Sequence, residues 1–163
     1  MGTRSVCIFK DEDNQVLCSI WNKYDGGPDN FGSKLANFLT SKELRTMWSP
    51  GEDVFGGIGG AASQFVAYLK CYGHPYYPAN SGSLAGLPDM KKNQTWRRPE
   101  IGHISLLPIT LNLTTIRCDY VYVVTPNAQE EGFIISTFEH PKNLLFTCEA
   151  SEYIEELNRG FHY

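Results

Sequence analysis

The alternation of apolar and polar residues predicts a β-hairpin at the start of the chain. Residues 3–10 (TRSVCIFK) and 15–22 (QVLCSIWN) are rich in β-branched and apolar side chains, and the polar run 11–14 between them is typical of a turn. Both faces of the hairpin carry apolar side chains, which indicates a strand pair inside the sheet. If the turn centres on Glu12 and Asp13, Cys7 lies opposite Cys18. An apolar cross-strand pair is the favoured interpretation, and a disulfide is the alternative.

After the hairpin, apolar residues recur at helical spacing and predict three helices. Asp29 or Asn30 is expected to cap a helix, and Ser41 to begin a second short one that ends at residues 49–51 (SPG). The third and longest helix lies within residues 55–70 (FGGIGGAASQFVAYLK), directly after a glycine run. The buried face of the first helix is predicted to contain Phe31, Leu35, Phe38 and Leu39, and that of the third Ala62, Phe65, Val66 and Leu69.

The last third of the chain is rich in predicted strands. Apolar patterns favour strands at residues 103–107, 109–115, 117–125, 132–139 and 143–149. Ser151 is expected to cap a closing helix that ends at Gly160 and buries Ile154, Leu157 and Phe161. Short connections between strands favour antiparallel pairing. The sequence therefore predicts an α+β fold, with an antiparallel sheet of about five or six strands and two or three helices packed on one face.

Residues 71–102 do not fit this pattern. The segment is rich in Tyr, Pro, Gly, Asn and Ser and has no clear periodicity. Structureless loops of this length are uncommon inside compact domains. We interpret it as a long irregular insertion in a single globular domain that spans residues 1–163, and it is either a functional flap or a segment that becomes ordered on a partner.

Composition narrows the class of protein. The chain has 163 residues, 42% of them hydrophobic and 20% charged, which is ordinary for a globular protein. Its formal net charge of −4 gives no general attraction to nucleic acid or to an anionic membrane, so neither is expected as a partner. The five cysteines form no CxxC pair, no apolar run reaches membrane-spanning length, and the N-terminus lacks a signal-peptide core. We expect a protein that is not secreted, with mostly reduced, buried cysteines.

The glycine run is the first candidate site. Residues 57–62 (GIGGAA) match the pattern GxGxxA and open a helix, whose free N–H groups and partial positive charge suit an anion. No strand precedes the run and no βαβ unit follows it, so the context excludes a Rossmann dinucleotide site. Two interpretations remain: the glycines let the helix approach another element closely, or they let an anionic ligand approach the backbone. The residues assigned to this ligand site are Gly57, Gly59, Gly60 and Gln64.

The irregular insertion contains the second candidate. Arg97 and Arg98 follow a tryptophan, with Tyr72 near the start of the same segment. Arginine beside aromatic residues can bind phosphate and stack on bases. The alternative is an ordinary solvated loop. Arg4 and Asp25 complete the list of candidate ligand-binding residues, Asp25 because it lies in a turn directly after a strand.

Other chemistry has little support in the sequence. The pair Cys71 and His74 has no second pair at metal-binding spacing, although His103 and His140 could join it through folding, so no metal and no cofactor are expected. No HExxH, GxSxG, Walker A or EF-hand pattern occurs. No catalytic residue is assigned.

Several short motifs near the N-terminus occur together: MGTRS at residues 1–5, Asp11-Glu12-Asp13, Tyr24-Asp25-Gly26, and the glycine run followed by AASQFVA at residues 61–67. With them the chain resembles a family of small uncharacterised proteins of bacteriophages and large DNA viruses. Members have an MGTRS-like strand, a YDGYP-like turn and an NGMGxxAAQxVAxxK-like helix. The resemblance covers about residues 1–70; residues 71–102 depart from it and the β-rich third matches only in general style. It implies a viral or phage origin, in the host cytoplasm or the virion, and no particular activity.

A second resemblance concerns residues 2–4 (GTR) and Asp25. These are similar to amide hydrolases with an N-terminal nucleophile, which mature to begin Cys-Thr-Arg and have an aspartate after the second strand. Gly2 has no nucleophilic side chain, so this resemblance implies a related fold without that chemistry.

Three functions are therefore expected, in order. The first is a viral or phage accessory protein that binds a small anionic, nucleotide-like ligand at the Gly57–Gly60 helix start, assisted by Arg4 or by Arg97 and Arg98. The second is a virion structural or protein-interaction component whose segment 71–102 orders on a partner or on another copy of the chain. The third is a hydrolase, and an enzyme is the less favoured class.

Overall fold

The computed structural model describes residues 2–40, 57–70, 104–109, 112, 115–129 and 132–160. The strands are β1 (Ser5–Lys10), β2 (Val16–Asn22), β3 (Ile104–Leu107), β4 (Tyr120–Pro126), β5 (Phe133–Glu139) and β6 (Asn143–Glu149). The helices are α1 (Ser33–Thr40), α2 (Gly57–Lys70) and α3 (Tyr153–Asn158). The predicted helix after Ser41 and the predicted insertion at 71–102 lie outside the described residues. The predicted strand at 109–115 is not observed at Ile109 or Thr115, which lie in turns, and much of its remainder also lies outside the described residues.

The strands form one six-stranded sheet in the order β3-β2-β1-β4-β5-β6. Every neighbouring pair is antiparallel except β1 and β4, which run parallel. The predicted α+β class is confirmed, and the antiparallel prediction is corrected at this central pair. Short connections predict pairing only between consecutive strands, whereas a long connection that contains helices lets the chain return in the same direction.

The hairpin of β1 and β2 lies inside the sheet, as predicted, because β3 and β4 flank it. Its register differs from the expected one: Cys7 pairs with Ile20, and Cys18 pairs with Phe9. The turn is closed by Asp11, whose backbone N–H donates to the Gln15 carbonyl (3.0 Å) and whose carboxylate accepts from the backbone of Gln15 (2.8 Å). This loop is one residue longer than a turn centred on Glu12 and Asp13, and a second register shift occurs between Phe9 and Lys10.

The corrected register also decides the state of the two cysteines, which are free thiols. Cys7 and Cys18 become diagonal neighbours across the hairpin. Side chains in that relation lie about 7–8 Å apart, whereas a disulfide needs a Cβ–Cβ separation of about 3.5–4.5 Å. The alternative of a Cys7–Cys18 disulfide therefore does not hold.

The main core lies between the sheet and the helices. All three helices pack on the sheet face that carries Cys7, Phe9 and Tyr122, which confirms the prediction of helices on one face. The predicted inner residues of α1 and its leading turn are buried, and in α2 Ala62 and Phe65 are buried while Val66 and Leu69 are half-buried. The phenyl ring of Phe65 is the centre of this core. Its ring centroid lies 5.1–6.0 Å from those of Phe9, Phe31, Phe38 and Tyr68.

The opposite sheet face has a smaller core. Val6, Ile8 and Val121 are buried there together with Cys118, which lies just before β4. Half-buried side chains of the neighbouring strands, such as Trp21, complete it. The hairpin therefore buries apolar side chains on both faces, as its sequence pattern indicates.

The helix caps differ from those predicted. A π-helical turn, Pro28–Gly32, precedes α1, and its N-cap is Gly27, without a capping side chain. Pro28 begins the turn because its ring presets the helical φ angle, so Asp29 lies within the turn and does not cap it. A 3₁₀ turn, Ala150–Glu152, likewise precedes α3, and Ser151 lies inside it.

This extra turn changes which face of α3 is buried. Tyr153 is completely buried, whereas Ile154, predicted to face inward, is 39% exposed. Leu157, the middle residue of the predicted inner stripe, is half-buried, and Phe161 lies outside the described residues. In the described part of the chain, no helix has the length and apolar character needed to cross a membrane.

Candidate functional site

The first turn of α2 has an unusual backbone. Gly57 has φ of +84°, in the left-handed region that disfavours residues with a Cβ. Gly59 has no such requirement. A Cβ added at Gly57 or at Gly59 would meet no atom of the described residues within 4 Å. Glycine at 57 is therefore explained by backbone conformation, and glycine at 59 is explained by neither conformation nor packing within the described part of the chain.

The rest of α2 holds this turn in place. Ile58, Ala61 and Ala62 are buried in the main core, so one side of the first two turns is fixed to the sheet. Gly59 is exposed on the other side. Gln64, a candidate ligand-binding residue, is half-buried one turn further along. The helix start thus combines an anchored face with an open one.

The electrostatics of this turn favour a negative charge. The first N–H groups of a helix have no partner inside the helix, and the aligned peptide dipoles place a partial positive charge there. No acidic side chain lies in the first turn of α2 to neutralise it. The Ser63 hydroxyl donates to the Gly60 carbonyl (3.0 Å), so it does not cap the free N–H groups.

Arg4 and Asp25 lie in neighbouring segments at one end of the sheet. The backbone N–H of Gly26 donates to the Thr3 carbonyl (3.0 Å), which fixes the turn that contains Asp25 against the start of β1. The side chains of both Arg4 and Asp25 are exposed. Among the described residues, no hydrogen bond or ion pair joins either side chain to the first turn of α2.

The Asp25–Gly26 turn has a structural explanation of its own. Asp25 has φ of +53°, and a Cβ on Gly26 would lie 2.8 Å from the Arg4 carbonyl carbon and from Ser5. Tyr122, on β4, donates its buried hydroxyl to the Gly26 carbonyl (2.7 Å). Sequence reasoning did not identify this tyrosine, because in a strand pattern it counts only as an apolar position. The YDGGP motif is therefore a turn docked on the sheet.

A second buried tyrosine supports the turn that leads into α1. The Tyr153 hydroxyl lies 3.3 Å from the Thr137 hydroxyl and also lies against Gly32, where a side chain would collide with it. Burial raises the pKa of both Tyr122 and Tyr153, so each phenol stays protonated and serves as a hydrogen-bonding group.

The charges of three carboxylates act on a third tyrosine, Tyr120. Burial raises the pKa of Tyr120, and the nearby negative charges of Glu139, Asp119 and Asp29 raise it further. Tyr120 and Glu139 lie on β4 and β5, Asp119 directly precedes β4, and Asp29 lies in the turn that leads into α1. Within the described ranges, no group of His, Cys, Asp and Glu side chains has the arrangement to hold a metal ion.

The described cysteines are unsuited to nucleophilic chemistry. Burial raises the pKa of Cys7 well above its ordinary value and raises those of Cys18 and Cys118. Burial, together with the charges of Glu156, Glu152 and Glu149, raises the pKa of Cys148 to about 11. Since the thiolate is the reactive form, these thiols are structural.

Part of the predicted site lies outside the described residues. Tyr72, Arg97 and Arg98 lie outside the described residues, as do Cys71, His74 and His103 of the weak metal hypothesis. Gly2, the position of the nucleophile in the amide hydrolases, is described; it packs against the Tyr24 ring. The placed candidates are thus Arg4 and Asp25 at the sheet end, and the glycines and Gln64 on α2.

Comparison with known proteins adds no identification. No protein-family model matches this chain, and no significant similarity was found to a curated protein or to a solved structure.

Proposed function

We propose that this chain is a small binding protein that holds an anionic, nucleotide-like ligand at the start of α2. The observation that carries the proposal is that no described atom lies within 4 Å of a Cβ added at Gly59, in the first turn of a helix whose other side is anchored in the core. In keeping with the resemblance of its first seventy residues, we further propose that it is an accessory protein of viral or phage origin that acts in the host cytoplasm or the virion.

The choice between close helix packing and ligand binding rests on the role of glycine at position 59. If its role were to let α2 lie close to another element, an added Cβ would collide with that element. It meets nothing within 4 Å among the described residues. Close approach of a ligand to the backbone is the remaining explanation from the sequence, and it agrees with the free N–H groups and the absence of acidic side chains in this turn.

The other candidate residues would complete the proposed site. Arg4 presents an exposed guanidinium that can pair with phosphate oxygens. Arg97, Arg98 and Tyr72 would contribute from the segment 71–102, and Gln64 from α2 itself. Asp25 is acidic, which disfavours contact with an anionic ligand. Its position in the turn before Gly26 is better explained by a structural role.

A substitution at Gly59 separates ligand binding from packing. Gly59→Ala should raise the melting temperature of the free protein, because alanine is favoured over glycine in a helix by roughly 0.5–1 kcal/mol and the methyl group would meet no atom of the described residues. The same methyl group would stand between an anion and the backbone N–H groups. We therefore expect affinity to fall by about tenfold or more, equivalent to ~1.4 kcal/mol.

The measurement is a thermal-shift screen of the full chain with inorganic phosphate, mononucleotides and cyclic dinucleotides, followed by calorimetric titration of any hit. Ligand at about 100 times its Kd stabilises by roughly 2.7 kcal/mol, or about 5–10 °C for a chain of this size. Ser63→Ala, on an exposed position of the same helix, is the matched control and should leave affinity unchanged. The proposal fails if none of these compounds raises the melting temperature, or if Gly59→Ala lowers stability and leaves affinity unaltered.

A second candidate function, a protein-interaction component of a virion, is favoured by the edge strand β3. Leu106 is 64% exposed and Ile109 is 61% exposed, and β3 has a sheet neighbour on one side only in the described part of the chain. An exposed apolar edge strand can accept a strand from another chain.

The two edges of the sheet allow a controlled test of this candidate. If β3 mediates self-association, Leu106→Lys should shift the protein to monomer in light scattering coupled to size-exclusion chromatography. Leu144→Lys, at an exposed position of the opposite edge strand β6, should leave the association unchanged. A protein that is monomeric at every concentration and absent from purified particles would contradict the interaction function.

A further inference from the structure

We draw no further inference here: the strongest candidate, the acidic residues Asp29, Asp119 and Glu139 whose charges act on Tyr120 at one end of the sheet, is a group of carboxylates with neither a buried unpaired polar side chain nor a metal-binding arrangement among the described residues to indicate a ligand.

Discussion

Gly26 shows how a single residue joins segments that are distant along the chain. Its N–H donates to Thr3, its carbonyl accepts from Tyr122, and its Cα lies against the backbone of Arg4 and Ser5. The glycine is required here by a close approach of two backbones. Because backbone atoms cannot move aside as a flexible side chain can, the position tolerates no Cβ.

Gly26→Ala should therefore destabilise the protein by about 1–3 kcal/mol, the usual range for an overpacked interior site. Urea denaturation of the purified variant measures this change. Gly27→Ala is the matched control, because its Cβ would meet only the Asp29 carboxylate at 2.9 Å, and that side chain is exposed and can rotate away. Equal losses of stability in the two variants would show that the contact with Arg4 and Ser5 is not the cause.

At the scale of elements, α2 is held by its aromatic contacts. Phe65 is completely buried and contacts aromatic rings from β1, from α1 and its leading turn, and from α2 itself. The helix that carries the proposed site is thus positioned by a residue two turns away from it. Changes at Phe65 act on the site only through the placement of the helix.

Phe65→Ala should cost about 3–5 kcal/mol, the range for removing a large aromatic side chain from a core. Phe65→Leu keeps most of the apolar volume and should cost less, which allows the site to be tested in a folded protein. Chemical denaturation gives both values, with Ser63→Ala as the control on the exposed side of the same helix. A loss below about 1 kcal/mol for Phe65→Ala would contradict the position of α2 on the sheet.

At the scale of the whole molecule, the burial of weakly acidic side chains makes the free energy of unfolding depend on pH in the alkaline range. The folded state raises the pKa of Cys148 from its ordinary value of 9.0 to about 11, and that of the fully buried Cys7 is raised as well. Between pH 9.0 and about pH 11, the unfolded chain releases the Cys148 proton and the folded chain retains it. The unfolded state then binds fewer protons, so the free energy of unfolding decreases as pH rises.

We therefore expect the free energy of unfolding to decrease from about pH 9 upward, and Cys148 to stop contributing to this decrease above about pH 11. Urea denaturation at pH 8 and pH 10.5, in the presence of a reductant, measures the difference. In Cys148→Ala the difference should be smaller than in the unchanged chain, whatever the variant's stability at pH 8. An unchanged pH dependence in this variant would show that Cys148 is not protected by the fold.

The elements were predictable because their patterns are local. Alternation identified β1, β2, β4, β5 and β6, and helical spacing identified α1 and α2, since each pattern reports which side of an element leaves water. The exact hairpin register was not predictable, because it depends on how Asp11 closes the turn and on the irregularity between Phe9 and Lys10. The inner residue of α3 was missed for a similar reason: the preceding 3₁₀ turn places Tyr153, and not Ile154, over Thr137.

The amino-acid sequence by itself determined the α+β class, the helices on one sheet face, and the glycine-led start of α2. These features follow from the periodicity of apolar residues and from glycine's backbone freedom, both of which are properties of neighbouring residues. Only the tertiary structure decided that β1 and β4 pair in parallel and that Gly26 is fixed by Tyr122. It also decided that none of the described residues occupies the space above Gly59. Each of these depends on atoms far apart in the chain, whose meeting is set by the packing of the whole sheet and its helices.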